Sequence, residues 1–369
     1  MSDFVSDLRG YQPPTLPLSA ELETKAVLKK LISANLALAR LNGAAARIPN
    51  QTVLINALVL QEAKDSSEIE NIITTHDDLY RSTLDAAHWP QAVKEVRHYG
   101  EALRLGFDLV SQSGVLRIND IVAIQVCLEK NTAGIRKQGG TTLKNDKTGE
   151  VVFKPPQLEA DIQRALANLE QYINLAELDD CDPLVKMAVI HHQFETIHPF
   201  YDGNGRTGRI MNILYLVLSG LLDLPILYLS RFITTHKADY YRLLQAVRTD
   251  QSWEEWVLFM LAGVETTAKQ TTQLILDIDA LMQQTATIIQ KKAAKLYSKD
   301  LLESLFIQPY TKIEFIESRL GVSRQTASKH LNALEEMGIL QSVKMGNTKF
   351  FIHQAFYELL STPYDELSS

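Results

Sequence analysis

The stretch HPFYDGNGRTGR, His198 to Arg209, gathers an imidazole, a carboxylate, a Gly-Asn-Gly turn and two arginines into a single short run. These are the parts needed to hold a metal-bound polyphosphate and to deprotonate an attacking hydroxyl. His198 is a candidate general base, and Asp202 a candidate hard oxygen ligand for Mg²⁺. Gly203-Asn204-Gly205 can turn successive backbone N–H groups inward as an anion-binding nest. A helix starting near Gly205 would carry Arg206 and Arg209 on its first turn. Their charge would add to the positive end of the helix dipole, where phosphates bind readily. A lone Gly-Asn-Gly is most often a surface turn; all these groups together are not.

The stretch fills every fixed position of H-x-F-x-[D/E]-G-N-G-R-x-x-R, and so resembles the signature loop of the Fic family. The resemblance implies a mainly α fold: a helical core with a small β-hairpin flap. It implies transfer of a nucleotide monophosphate, usually AMP from ATP, to a Ser, Thr or Tyr hydroxyl of a protein, with self-modification also expected. It further implies roles by position. His198 would take the proton of the target hydroxyl, and Asp202 would help hold Mg²⁺ between the α- and β-phosphates. The amides of Gly203, Asn204 and Gly205 and the Asn204 side chain would bind phosphates. Arg206 and Arg209 would bind the β/γ end, with Thr207 and Gly208 in the same nucleotide-binding run. Phe200 would anchor the loop in the core. The chemistry agrees, because in-line attack at phosphorus needs positioning and charge neutralisation more than covalent help. No G-x-x-x-x-G-K-[ST] segment occurs, so a P-loop is not the phosphate site.

Upstream, Ser66-Ser67-Glu68-Ile69-Glu70-Asn71 resembles the inhibitory helix of Fic proteins, [S/T]-x-x-x-E-[G/N], with Ser66, Glu70 and Asn71 in the fixed places. Ser66 and Glu70 are i,i+4 on a helix, so the hydroxyl is expected to orient the carboxylate. The resemblance implies that Glu70 pairs with Arg209 and withholds that guanidinium from the γ-phosphate. Taken alone, S-x-x-x-E is mostly a solvated helix face; its weight comes from the loop that follows.

Most of the chain reads as helix: Leu18 to Leu41, then from an Asn50 cap to about Lys64, a short helix from Ser66 or Ser67 through Ile73, Gln91 toward Leu109, and Leu184 to Glu195. The exception is 141–156, where Asn145, Asp146 and Gly149 are turn residues. There Val151-Val152-Phe153 is strand-like and Pro155-Pro156 ends the run, which predicts a β-hairpin. In Fic proteins a hairpin at this place is the flap that pairs with the target backbone, here through Val151, Val152, Phe153 and Lys154. Arg136 also fits the family pattern, and a structural ion pair is its plainer reading. His191 and His192 are adjacent, so on a helix they diverge by about a hundred degrees and cannot share an ion; structural roles are expected. Tyr240 and Tyr241 stand where the family often places a pair near the adenine, with helix packing an equal alternative. An Asn often follows two turns later; here the position falls near Arg248, which leaves base selectivity open.

The net charge of −7 argues against non-specific binding to nucleic acid or anionic membrane. Cys127 and Cys181 lack metal-ligand spacing and are expected to be reduced thiols of a cytoplasmic protein. No basic start or apolar run marks a signal peptide, and the apolar stretch Ile210 to Leu229 is interrupted by Asn212, Gly220, Asp223 and Pro225. The C-terminal residues read as two helices around Gly321-Val322-Ser323, followed by strands either side of Gly346-Asn347. They resemble a winged helix over 311–353, with Arg324, Gln325, Ser328 and Lys329 on the early turns of the second helix. From Thr311 onward six Lys/Arg face seven Asp/Glu, so DNA binding is possible but a protein contact or a homodimer is favoured.

The expected division is a helical region 1–110 with an inhibitory helix 66–73, a catalytic core 111–262, a helical connector 263–300 and a winged-helix-like domain 301–369. The function expected is a self-inhibited protein adenylyltransferase using ATP and Mg²⁺. The alternatives are a DNA-binding regulator with the core as nucleotide sensor, or a related enzyme with another donor or with AMP-removing activity.

Overall fold

The computed structural model describes residues 9–48, 50–84, 89–144, 148–345 and 348–362. Within these it is mainly helical, as expected. An extended leader runs to Thr24, whose hydroxyl accepts from the Val27 amide and starts α1 (Lys25–Ala45), later than the Leu18 start expected from periodicity. Helix α2 (Gln51–Ile69) is capped by Asn50, whose side chain accepts from Thr52 N at 3.1 Å. It does not break at Lys64. Nothing between Gln61 and Ile69 interrupts a helix, so the separate helix expected over 66–73 is the last turn of α2. The turn ends in a Schellman arrangement: Asn71 N donates to Glu68 O and Ile72 N to Ser67 O. Asn71 takes the left-handed position, φ 63°, which explains why Gly or Asn suits it.

Next come α3 (His76–Ser82), α4 (Gln91–Ser113) and α5 (Ile118–Glu129). The expected hairpin follows as β1 (Leu143–Lys144) and β2 (Val151–Phe153), antiparallel with Leu143 opposite Phe153 and a register shift between the two pairs. The turn residues Asn145 and Asp146 lie outside the described residues. Helices α6 (Glu159–Asn174), α7 (Pro183–Ile197), α8 (Asn204–Leu218), α9 (Leu229–Thr235) and α10 (Lys237–Asp250) complete the region around the loop. Helix α7 is buried on every face from Leu184 to Ile197, and it packs against α6, α8 and α11 (Trp253–Ala293). Helix α11 lies along α1, crosses the expected 262/263 boundary unbroken, and has no Gly or Pro near it except the packed Gly263.

The C-terminal part comprises α12 (Lys299–Leu305), β3 (Tyr310–Thr311), α13 (Ile313–Leu320), α14 (Arg324–Glu336), β4 (Gln341–Met345), β5 (Thr348–Ile352) and α15 (Gln354–Ser361). Gly321 at φ 62° and the Ser323 cap join α13 to α14 as expected. The sheet order is β3-β5-β4, so the two strands read from sequence gain a third, short one at Tyr310–Thr311. Gly346 and Asn347 lie outside the described residues. This part docks on α2 and α3. Asn50 donates to Glu303 at 2.7 Å, Gln61 to the Leu360 carbonyl at 2.6 Å, and Tyr80 stacks on Tyr310. Among the described residues no helix is long and apolar enough to cross a membrane.

Candidate active site

Asp182 accepts from Leu184 N and Pro183 occupies the first helical position, so α7 starts firmly and drives straight through the core. It ends at His198, in a left-handed conformation with φ 48° that turns the chain into the loop. Arg136 secures this end. It is fully buried; its Nε donates to the His198 carbonyl at 2.7 Å and its Nη2 to the carbonyls of Ile197 and Pro156. Its partners are carbonyls, not the carboxylate of the expected ion pair: a helix C-terminus leaves several carbonyls unsatisfied, and one guanidinium fork serves them. Arg136 N also donates to Pro199 O, and Ile135 bridges Phe200. Phe200 itself is 1% exposed, against Phe194, in the packing role expected of it.

The Asn204 side chain accepts from Phe200 N and donates to Phe200 O, both at 2.9 Å. It is therefore a staple across the loop, and its amide is committed to main chain where a phosphate contact had been expected. Gly203, at φ 77°, caps α8, and the first intrahelical amide bond is Thr207 N to Gly203 O. The amides of Asn204, Gly205 and Arg206 thus form the donor end of the helix, free by position to meet an anion. Asp202 stands exposed at the rim, one oxygen taken by Gly203 N at 2.7 Å.

A carboxylate of this chain reaches over that helix end. Arg209 donates from Nε to the Ser66 hydroxyl at 2.8 Å, and from Nη2 to the Ser66 carbonyl at 2.9 Å and to Glu70 Oε1 at 2.8 Å. Ser66 and Glu70 thus share one guanidinium, whereas the hydroxyl had been expected to orient the carboxylate directly. A Cβ at position 205 would collide with Glu70 Oε1, so only glycine leaves the carboxylate its seat. Burial pushes the Glu70 pKa up, but the charge and hydrogen bond of Arg209, with Arg206 and Lys237, outweigh it and leave it lowered. Arg206 is held at 2.8 Å by Glu129 and at 3.6 Å by Glu95.

His198 is neutral at pH 7: burial, then the charges of Arg136 and Arg248, lower its pKa to about 4. One turn back on α7, Glu195 is pushed up to about 7 by burial, with Arg209 opposing. Its Oε1 stands where a Cβ of Gly208 would lie, so Gly208 is what lets α7 and α8 meet. Thr207 is fully buried beneath the loop. His191 and His192 are both buried, bonded to the Tyr240 hydroxyl at 2.8 Å and the Leu244 carbonyl at 3.1 Å, in the structural roles expected. Tyr240 packs among His191, Trp256 and Phe259, while Tyr241 is 47% exposed. In the hairpin, Val151 and Val152 are exposed and Phe153 is buried, and the Lys154 carbonyl accepts from Tyr11 N. Cys127 and Cys181 are half-buried free thiols.

Two groups near the imidazole had no assigned role in the sequence reading: Glu195 and Arg248. Arg248 donates to Thr196 Oγ1 at 3.1 Å and lies over the Phe153 ring. The only signal for it was the position two turns after the tyrosine pair.

Comparison with known proteins places these features. Residues 28–108 match the Fic/DOC family N-terminal profile, 110–216 the Fic/DOC family profile, and 281–356 the C-terminal domain of protein adenylyltransferase SoFic-like proteins. A probable protein adenylyltransferase of Aquifex aeolicus is 27% identical over 192 residues, 49% of this chain and 54% of that one. Protein adenylyltransferase fic-1 of Caenorhabditis elegans is 32% identical over 132 residues, 34% of this chain and 26% of that one. The chain thus spans about half or less of the length of these curated relatives. Among solved structures, a Fic family protein from Desulfovibrio desulfuricans G20 superposes with TM-score 0.57 at 20% identity, covering 93% of this chain and 98% of that one. Fic-1 from C. elegans (residues 134–508) gives 0.51 at 20% identity, covering 70% and 73%. Successive profiles along one chain, a shared fold and a loop with every fixed position filled have one reading: the chain belongs to the Fic/DOC family.

Proposed function

We propose that the protein transfers AMP from ATP to Ser, Thr or Tyr hydroxyls of a target protein, itself included, and that Glu70 restrains this transfer. The observation that carries the reading is His198, at the end of α7, on the same short loop as the amide end of α8, where the Glu70 carboxylate lies against Gly205 and pairs with Arg209. The relatives named protein adenylyltransferases support the same activity.

In this reading the α8 amides and Arg209 receive the phosphates once Glu70 withdraws. The target hydroxyl oxygen attacks the α-phosphorus, its proton passes to His198, and the bond to the β-phosphate oxygen breaks, releasing pyrophosphate. The His198 main chain, fixed by Arg136, holds the imidazole in place for that proton. Asp202 is exposed with one oxygen bonded by Gly203 N, and one carboxylate plus substrate phosphates and water is a donor set that suits Mg²⁺. Such an ion supplies charge neutralisation at the phosphates. Val151 and Val152, exposed on the hairpin, offer an edge for the target backbone. The four-part division by residue number is proposed with the connector read as the later part of α11. The C-terminal part is read as a protein-contact module resembling a winged helix, since Arg324 and Lys349 are paired with Glu314 and Glu335.

The test is incubation of wild type, Glu70→Gly and Glu70→Gly/His198→Ala with ATP and Mg²⁺, followed by intact mass. One AMP gained by the single mutant, and none by the double mutant, is the expected result. No gain in any sample, with ATP bound, would overturn the reading.

A further inference from the structure

The hairpin has little of its own to hold it. Its two strands share two residue pairs with a register shift between them, and two of the three β2 side chains are exposed. An isolated two-stranded hairpin is marginal in water. What fastens it is a stack outside the hairpin. The Arg248 guanidinium lies 3.8 Å from the Phe153 ring centroid, and the Tyr11 ring packs against Phe153 at 5.5 Å. The leader adds main-chain bonds: Tyr11 N to Lys154 O at 2.9 Å and Gln157 N to Arg9 O at 2.8 Å. Gly10 permits this approach, because the Pro155 carbonyl occupies the space a Cβ would need.

The other end of the stack is anchored to the helix that carries the imidazole. Arg248 Nε donates to Thr196, two residues before His198. Among the described residues Arg248 makes no ion pair, although it is largely buried. Burial lowers the Arg248 pKa to about 10 with the Glu195 carboxylate opposing from a distance, so the Phe153 ring face and the Thr196 hydroxyl are the partners in direct contact with the guanidinium.

We propose that Arg248 is a positioning residue: by stacking on Phe153 while bonded to Thr196, it fixes the hairpin's height over His198. It thereby sets where a target backbone meets the Val151–Phe153 edge. The second half of this inference rests on the transferase reading; the clamp itself does not. Only a planar cation does both jobs, since arginine can lie flat on a ring while donating in its own plane. Lysine keeps the charge and loses one of the two contacts.

Amide hydrogen exchange of the full chain tests the clamp directly. Arg248→Ala and Phe153→Leu should each speed exchange at Val151 to Phe153 by roughly ten- to a hundred-fold, the scale of the contacts removed. Protection in α7 and α8 should stay unchanged and Arg248→Lys should fall between. ATP affinity should change less than about two-fold. In a Glu70→Gly background, Arg248→Ala should lower AMP transfer at least about ten-fold while ATP still binds. Unchanged hairpin exchange in both variants would overturn the clamp, as would equal loosening throughout the chain. If the Glu70→Gly parent transfers no AMP, the transferase reading fails while the exchange result still decides the clamp.

Discussion

Glu70 and Arg209 meet at 2.8 Å, with the arginine side chain 2% exposed and the glutamate 35%. The pair is lopsided: the cation is locked in the core, and the anion sits at its mouth where it can leave. Glu70→Gly should therefore raise AMP transfer, by about ten-fold or more, since a charge-assisted bond is removed from the group that would meet phosphate. It should also cost about 1–2 kcal/mol of stability, less than a wholly buried pair because the glutamate is partly solvated. Arg209 keeps two bonds to Ser66 in that variant, so adding Ser66→Ala should raise transfer further. Pyrophosphate release and urea unfolding, measured together, check both halves; a variant that gains activity and stability alike contradicts this account.

His198→Ala should lower transfer by roughly 10²–10⁴-fold with ATP binding retained. With a pKa lowered to about 4 by burial, then Arg136 and Arg248, the imidazole is deprotonated through the neutral range. Titration of His198 should then leave no break in transfer by the Glu70→Gly variant between pH 6 and 8, the imidazole being lost as a base only as pH approaches 4. The stability sign is the same. A histidine depressed in the folded state contributes fully above its unfolded pKa near 6.5 and loses that contribution as pH drops toward 4. A pH–rate profile that breaks near 6.5 would show the imidazole to be more solvated than the structure has it.

Asn71 ends α2 in a left-handed conformation, one residue after Glu70. Alanine there should cost about 1 kcal/mol, and glycine almost nothing. Because the last turn of α2 presents Glu70, the alanine variant should show partial activation and Asn71→Gly none. Initial rates of self-modification for the two, side by side, separate backbone conformation from side-chain chemistry.

Glu62 lies on α2, buried at 2% exposure, accepting from Ser230 N and from the hydroxyls of Ser230 and Tyr99. Burial pushes its pKa up to about 8. A carboxyl raised in the folded state stabilises below its unfolded pKa, near 4.3, and loses that contribution as pH rises through 8. The melting temperature should fall from pH 6 to pH 9 with a slope that Glu62→Gln makes shallower, Glu195 contributing below about pH 7, whatever that variant's absolute stability. Equal slopes would mean that Glu62 ionises without penalty.

The loop was legible because its chemistry demands those groups in that order, and the hairpin because its strand and turn residues are local. What escaped was long-range. Asn204 looked like a phosphate ligand because sequence does not show that Phe200 offers its amide and carbonyl to the same side chain. Arg136 looked like half an ion pair, since a helix C-terminus more than sixty residues away is not a visible partner. Paired serines suggested a helix start at 66 and 67, but they point into the fold and the helix runs through them. Tyr310–Thr311 is too short to read as a strand until β5 lies beside it. Arg248 was visible only as a departure from a pattern, without the ring it stacks on.

Helix α11 has 41 residues, so it runs about 60 Å without a break. Its early turns belong to the region around the loop, and its far end leads to α12 and the C-terminal part. The two ends are consequently in phase. Deleting one residue from the middle would shorten the rod by about 1.5 Å and turn everything beyond it by about a hundred degrees. Asn50 would then no longer face Glu303, nor Gln61 the Leu360 carbonyl. Even a seven-residue change, about two full turns, nearly restores the angle but slides the C-terminal part by about 10 Å along the rod, so insertions and deletions here should be poorly tolerated at any length. The C-terminal part is thus indexed to the core by rotation as well as by contact.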